Sequence, residues 1–280
     1  MGNCRSKNND KNDETELIKI INQGSFCNTY LIRKNDVFYI NKKYSRYNNY
    51  IIVGGNYHFP IDIVNNEIEI LNNINHQCIL NIVNYIETTK YISVILPYID
   101  GENLQYYAPK IITEKQLKWI VYQLMTALLY LKSKCILHRD IKPSNIIISD
   151  GDKVKLIDFN CAHYIQNKTE IAFGTLGYKA PEIHYNMEYS FNSDIFGFGC
   201  TIYYIVYKRM AIDIQMYKQP LTKWQNPIYT KSVYSKCLID FIKRCIVYNK
   251  RSRYTIRDCY LDRWMFDYII QIAEKNTINI

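Results

Sequence analysis

This 280-residue sequence predicts an α+β fold in two parts, a smaller strand-rich half followed by a larger helical half. Three observations carry that expectation. Short apolar or alternating runs recur between residues 16 and 96 and are separated by turn residues. Beyond residue 113, apolar stripes at helical spacing take over. The length suits two lobes with cores of their own and leaves no room for a further large domain.

Taken in order, Glu16–Asn22 and Thr29–Arg33 read as strands joined by Asn22-Gln23-Gly24-Ser25-Phe26-Cys27. Lys34-Asn35-Asp36 turns the chain into a third strand, Val37–Lys43, along which Ile40 and Lys42 share one face. The stretch from Tyr44 to Phe59, containing Gly54-Gly55, is expected to be a surface loop. Pro60 suits a helix start, after which Ile63, Glu67, Leu71 and Ile74 fall on one helical face. A carboxylate inside that stripe needs a cation, because burying a lone charge is costly. Lys42 is the obvious partner, while Glu69 points elsewhere.

Ile82–Ile86 and Tyr91–Leu96 form a hairpin over Thr88-Thr89-Lys90. Thr113-Glu114-Lys115-Gln116 is a capping box. It opens a helix striped with Leu117, Ile120, Leu124, Ala127, Leu128 and Leu131. Ile195–Tyr207 is too short to span a membrane, contains Gly197 and Gly199, and reads as a buried helix.

Composition excludes several classes. Hydrophobic residues make up 48% and charged residues 22%, as in a globular protein. The net charge of +9 favours acidic partners such as nucleotide phosphates or an anionic membrane face and does not specify nucleic acid. Nine scattered cysteines, with no Cys-x-x-Cys pair, argue against a disulfide framework or zinc ribbon and for a reducing compartment. Residues 1–15 are polar, unlike a secretory leader.

The chemistry concentrates at His138-Arg139-Asp140-Ile141-Lys142-Pro143-Ser144-Asn145 and at Asp158-Phe159-Asn160. Between them, Ile146-Ile147-Ile148, the polar turn Ser149-Asp150-Gly151-Asp152, and Val154, Leu156 and Ile157 read as a β-hairpin. Such a hairpin folds Asp158 back beside Asn145 and Asp140. Two carboxylates, an amide and a lysine then converge, a set suited to a metal-nucleotide.

These motifs resemble the catalytic and metal-binding loops of the eukaryotic protein kinase family, and Lys142 with Thr175 resembles its Ser/Thr type. The resemblance covers about residues 14–266 in family order. It implies the two-lobed protein kinase fold, with a small lobe over about 14–96, a hinge over 97–100 and a large lobe over 101–266. Residues 1–13 and 267–280 are left as tails. It further implies ATP and Mg²⁺ as cofactors and a protein Ser/Thr hydroxyl as acceptor. Lys42, positioned by Glu67, would hold phosphates beneath the Gly24 turn. Ile40, Leu96, Pro97, Ile99 and Ile147 would surround the adenine. Asn145 and Asp158 would ligate the metal, Asp140 would orient the hydroxyl, and Lys142 would steady the transferring group. Gly174 to Glu182 resembles the close of the activation segment. Asp194 would hold the catalytic loop from below, and Arg253 would pair with Glu182.

Three positions depart from the pattern. Cys27 replaces a glycine and should stiffen the turn, and bulky Ile40 should narrow the adenine pocket. Asn160 replaces the glycine of Asp-Phe-Gly and is expected to adopt left-handed backbone angles. An active enzyme is favoured, with a pseudokinase scaffold as the alternative. Arg139 is a ready phosphate partner with Thr169 as acceptor, against an unmodified loop as the other reading. Ser144 stands where several basic-directed kinases carry Glu, and Leu176 after Thr175 argues against proline direction. Finally, Met1-Gly2-Asn3-Cys4-Arg5-Ser6 matches an acylation pattern, with Gly2 and Cys4 as lipid acceptors. The alternative is a polar tail that begins Met-Gly by chance. Anchoring would place the protein in the cytoplasm, at the cytosolic face of a membrane.

Overall fold

The computed structural model describes residues 15–23, 27–46, 51–53, 56–58, 60–111, 113–167, 172–186 and 189–277. The first part contains β1 (Glu16–Gln23), β2 (Cys27–Lys34), β3 (Val37–Ser45), β4 (Ile51–Val53), β5 (Asn56–His58), α1 (Pro60–Asn73), β6 (Asn84–Glu87) and β7 (Tyr91–Pro97). Five of these strands form one antiparallel sheet in the order β1-β2-β3-β7-β6. Its inner face carries Tyr44, Ile92, Val94 and Leu96, which are buried with Val64, Ile68 and Leu71 of α1 in the hydrophobic core.

Strand ends shift by one or two residues from the sequence expectation at β1, β2 and β6, and three differences are larger in consequence. β3 runs on to Ser45, because Tyr44 packs inward instead of starting a loop. The expected loop contains the antiparallel pair β4–β5. Residues 267–277, within the stretch expected as a tail, continue the helix Phe266–Thr277, which packs on the core through Tyr268 and Ile269.

The second part contains β8 (Gly101–Asn103), α2 (Leu104–Tyr107), α3 (Glu114–Ser133), β9 (Ile136–Leu137), β10 (Ile146–Ser149), β11 (Lys153–Leu156), β12 (His163–Tyr164), α4 (Pro181–Asn186), α5 (Phe191–Tyr207), α6 (Lys236–Cys245), α7 (Ile256–Leu261) and α8 (Phe266–Thr277). Thr113 caps α3 by accepting from the Gln116 N–H. The expected stripe on α3 is buried along its length. So is Gln123, whose amide donates to the Asp152 carbonyl at 2.8 Å and accepts from Val154 N–H at 3.0 Å. That polar pair fixes the β10–β11 hairpin on α3. α5 is buried over most of its length. A Cβ at Gly199 would stand 2.6 Å from Cys245 Cβ, so α5 and α6 meet this closely only with glycine there. The eight described cysteines are free thiols. No described helix is long and apolar enough to cross a membrane.

Candidate active site

β3 and α1 deliver the first charged pair. Lys42 Nζ donates to Glu67 Oε1 at 3.0 Å, and Glu67 is only 1% exposed. The same ammonium donates to Asp158 Oδ1 at 2.8 Å, joining the strand-rich part to the helical part. Burial opposes the charge on Lys42, but Asp158 and then Glu67 outweigh it and hold its pKa well above the ordinary lysine value. Burial likewise pushes Asp158 up, yet Lys42 prevails and its carboxyl titrates below the usual range.

The β10–β11 hairpin brings Asp158 back to the loop before β10, where Ile157 N–H donates to the Asn145 carbonyl at 2.9 Å. In that loop Asp140 is buried and accepts from four donors. Thr175 N–H and Oγ1 reach Oδ1 at 2.9 and 2.7 Å. Asn145 Nδ2 and Lys142 Nζ reach Oδ2 at 3.0 and 2.7 Å. Lys142 Nζ also donates to Thr175 Oγ1 at 2.6 Å. A carboxylate, an ammonium and a threonine hydroxyl are thus in mutual contact.

Asp194 supports this loop from α5, accepting from His138 N–H at 2.8 Å and Arg139 N–H at 2.9 Å. Burial pushes its carboxyl up. His138 is fully buried. A neutral ring satisfies both nitrogens, with Nε2–H donating to the Ile157 carbonyl at 3.1 Å and Nδ1 accepting from Asp140 N–H at 3.3 Å. Burial lowers its pKa despite the acidic neighbours. The folded ring therefore resists a proton that the unfolded chain accepts. Its contribution is complete above the ordinary histidine pKa and is lost as pH falls below it. Thermal unfolding between pH 7 and 5 should accordingly be less pH-dependent in His138→Gln than in the parent, by at most about 1.4 kcal/mol per pH unit. Identical slopes would remove His138 from this account.

On the opposite side of the cleft, Ile40 lies across from Leu96 in the β3–β7 register and Tyr39 across from Pro97. Leu96 is buried, while Ile40, Ile99 and Ile147 are half-buried. A Cβ on Gly101 would lie 2.9 Å from Ile147 Cγ2, so Ile147 sits directly against the segment after the strand-to-helix crossing. These apolar side chains lie on β3, β7 and β10 and on the segment that follows β7.

Residues 15–265 match the family model described as protein kinase domain. The chain belongs to the protein kinase family. It is 30% identical over 210 residues to a probable myosin light chain kinase of Dictyostelium discoideum, covering 71% of this chain and 44% of that protein. Serine/threonine-protein kinase 36 of Pongo abelii is 30% identical over 215 residues, 74% of this chain and 16% of its own length. Serine/threonine-protein kinase PLK4 of Xenopus laevis is 32% identical over 166 residues, 57% and 18% respectively. The chain therefore spans less than half the length of these three kinases.

Within this protein kinase domain the structure brings Lys42, Glu67, Asp158, Asp140, Lys142, Asn145 and Thr175 into one connected set. Arg253, 3% exposed, meets Glu182 through two bonds of 2.7 and 2.9 Å. Arg139 lies between the rings of Phe173 and Tyr189, with centroids at 4.8 and 4.9 Å, and its Nε donates to the Cys161 carbonyl. Gly174 takes a φ of +110°, and a Cβ there would come within 2.9 Å of the Arg139 carbonyl. Gly24, Thr169, Gly2 and Cys4 lie outside the described residues. Cys27 opens β2 and pairs with Tyr44.

One expectation is corrected. The left-handed residue of Asp158-Phe159-Asn160 is Asp158, at φ 66°, and Asn160 is not among the residues with positive φ. Asn160 instead contributes its side chain, whose Oδ1 lies 3.1 Å from the Tyr44 hydroxyl and 3.4 Å from Lys42 Nζ. Tyr44 escapes the sequence reading because the expected strand ends at Lys43. Continuing the alternation Ile40, Lys42, Tyr44 would have placed it on the same face.

Proposed function

We propose that this kinase transfers the γ-phosphoryl group of ATP to a protein serine or threonine hydroxyl. The observation that carries the reading is the contact of Asp140 and Lys142 with one threonine hydroxyl, joined through the hairpin to the Lys42–Asp158 pair. Asp140 is placed to orient a hydroxyl and take its proton, while Lys142 offsets charge developing beside it. Lys42 supplies a fixed cation for phosphate oxygens.

The donor set fits Mg²⁺. Asp158 offers carboxylate oxygens, and the Asn145 amide nitrogen is committed to Asp140 at 3.0 Å, which leaves Oδ1 for a metal. Among the described residues no cluster of three His, Cys, Asp or Glu could hold a cation alone. Phosphate oxygens would complete such a shell, as suits Mg²⁺ brought with a nucleotide. A bound Mg²⁺ supplies charge neutralisation at the phosphates.

A peptide-array assay with radiolabelled ATP tests the reading. Label is expected on serine or threonine, dependent on Mg²⁺ and abolished by chelation. Nucleotide binding without any turnover would leave a pseudokinase scaffold instead.

The Gly2 pattern, Cys4 and the neighbouring basic residues support attachment to the cytosolic face of a membrane. Flotation of the full chain with membranes should fall sharply in Gly2→Ala. Equal flotation of both proteins would discard the anchor.

A further inference from the structure

Resting on the kinase reading, we propose that Tyr44 and Asn160 are positioning residues that clasp the Lys42–Glu67 pair and set it for nucleotide phosphates. The lysine alone does not define that geometry. Its ammonium faces two carboxylates, Glu67 at 3.0 Å and Asp158 at 2.8 Å, on a flexible four-carbon stem. What distinguishes the two partners is how the second oxygen of Glu67 is held. Oε1 takes Lys42, and Oε2 accepts from the Tyr44 hydroxyl at 2.8 Å. With both oxygens engaged, the carboxylate cannot turn.

The phenol's one proton is committed to Glu67 at the shorter distance, and Asn160 Oδ1 stands 3.1 Å from the phenol oxygen while accepting from Lys42 Nζ at 3.4 Å. Tyr44 is 2% exposed and shares the Lys42 face of β3. Three elements therefore meet at one polar point: β3 through Lys42 and Tyr44, α1 through Glu67, and the segment after β11 through Asn160. A glycine at position 160, as in the Asp-Phe-Gly pattern, would bring no side chain to this point. The clasp is a feature of this chain's own residues.

Removing the phenolic oxygen strands Glu67 Oε2 in a buried place without a donor, which is costly. The carboxylate then relaxes by turning, and Lys42 falls to Asp158 alone. A lysine neutralised by Asp158 is less available to phosphates. The defect should appear in the handling of ATP and not of the acceptor peptide.

The test uses the full chain, Tyr44→Phe, Asn160→Gly and the double variant. Affinity for Mg²⁺-ATP is read directly by calorimetry, alongside KM for ATP and for peptide. Tyr44→Phe is expected to weaken nucleotide affinity and raise KM for ATP about tenfold, with KM for peptide unchanged. Asn160→Gly should act in the same direction. The double variant should be no weaker than Tyr44→Phe within a factor of two, because both substitutions break one clasp.

Nucleotide affinities within twofold of the parent in both single variants would overturn the proposal. So would a double-variant loss equal to the product of the single losses, or an equal rise in both KM values. If Tyr44→Phe fails to fold, Asn160→Gly alone decides through nucleotide affinity. A parent that binds ATP without turnover would remove the kinase reading, while the affinities would still judge the clasp.

Discussion

Asp140→Asn is expected to reduce phosphoryl transfer by about 10²–10⁴-fold, the range for losing a positioned general base, while Mg²⁺-ATP affinity stays close to the parent value. The separation follows from where Asp140 sits. Its carboxylate bonds to Thr175, Asn145 and Lys142, all in the helical part, and not to Lys42 or Glu67. Asparagine has nearly the same shape and can still accept from Thr175 through its carbonyl. Its amide nitrogen, however, would face Asn145 Nδ2 and Lys142 Nζ, both donors, and carries no charge to draw a hydroxyl proton. Single-turnover transfer and direct nucleotide titration on the same preparation separate the two effects. Transfer at the parent rate would remove Asp140 from its assigned role. A parallel loss of nucleotide affinity would mean that the substitution had disturbed the cleft as a whole.

The legible parts of the site are those whose signals are local or forced. The loop from His138 to Asn145 and the hairpin behind it lie within twenty residues, and turn chemistry alone returns Asp158 to Asn145. Glu67 was legible across a larger gap because a carboxylate in an apolar helical stripe requires a cation, and Lys42 was at hand. Tyr44 was hidden because the polar run after it disguised the end of β3. For Asn160, propensity pointed to left-handed backbone, but tertiary contact overrode it. Phe159 is buried at 1% exposure and Asp158 is tied to Lys42, so the strained angle falls on Asp158 and frees the Asn160 amide to reach Tyr44. The rings enclosing Arg139 come from Phe173 and Tyr189, far along the chain. No spacing rule connects them to it.

Arg253→Met is expected to cost the fold about 3–5 kcal/mol, the range for removing one partner of a buried ion pair. Glu182, 8% exposed, would keep its charge and lose both guanidinium bonds, retaining only Ser193 Oγ at 3.1 Å. Arg253 also donates to the carbonyls of Val247, Asn192 and Tyr248 and stacks over Phe196 at 4.8 Å. This distinguishes it from an isolated pair, whose replacement by two apolar residues is often nearly neutral. Here Arg253→Met combined with Glu182→Leu removes the stranded charge and still leaves those carbonyls without their donor. Urea unfolding should therefore show the double variant recovering part of the loss and not all of it. Full recovery would mean that the carbonyl contacts contribute nothing. A single-variant loss below about 1 kcal/mol would place Glu182 in contact with water, contrary to its burial.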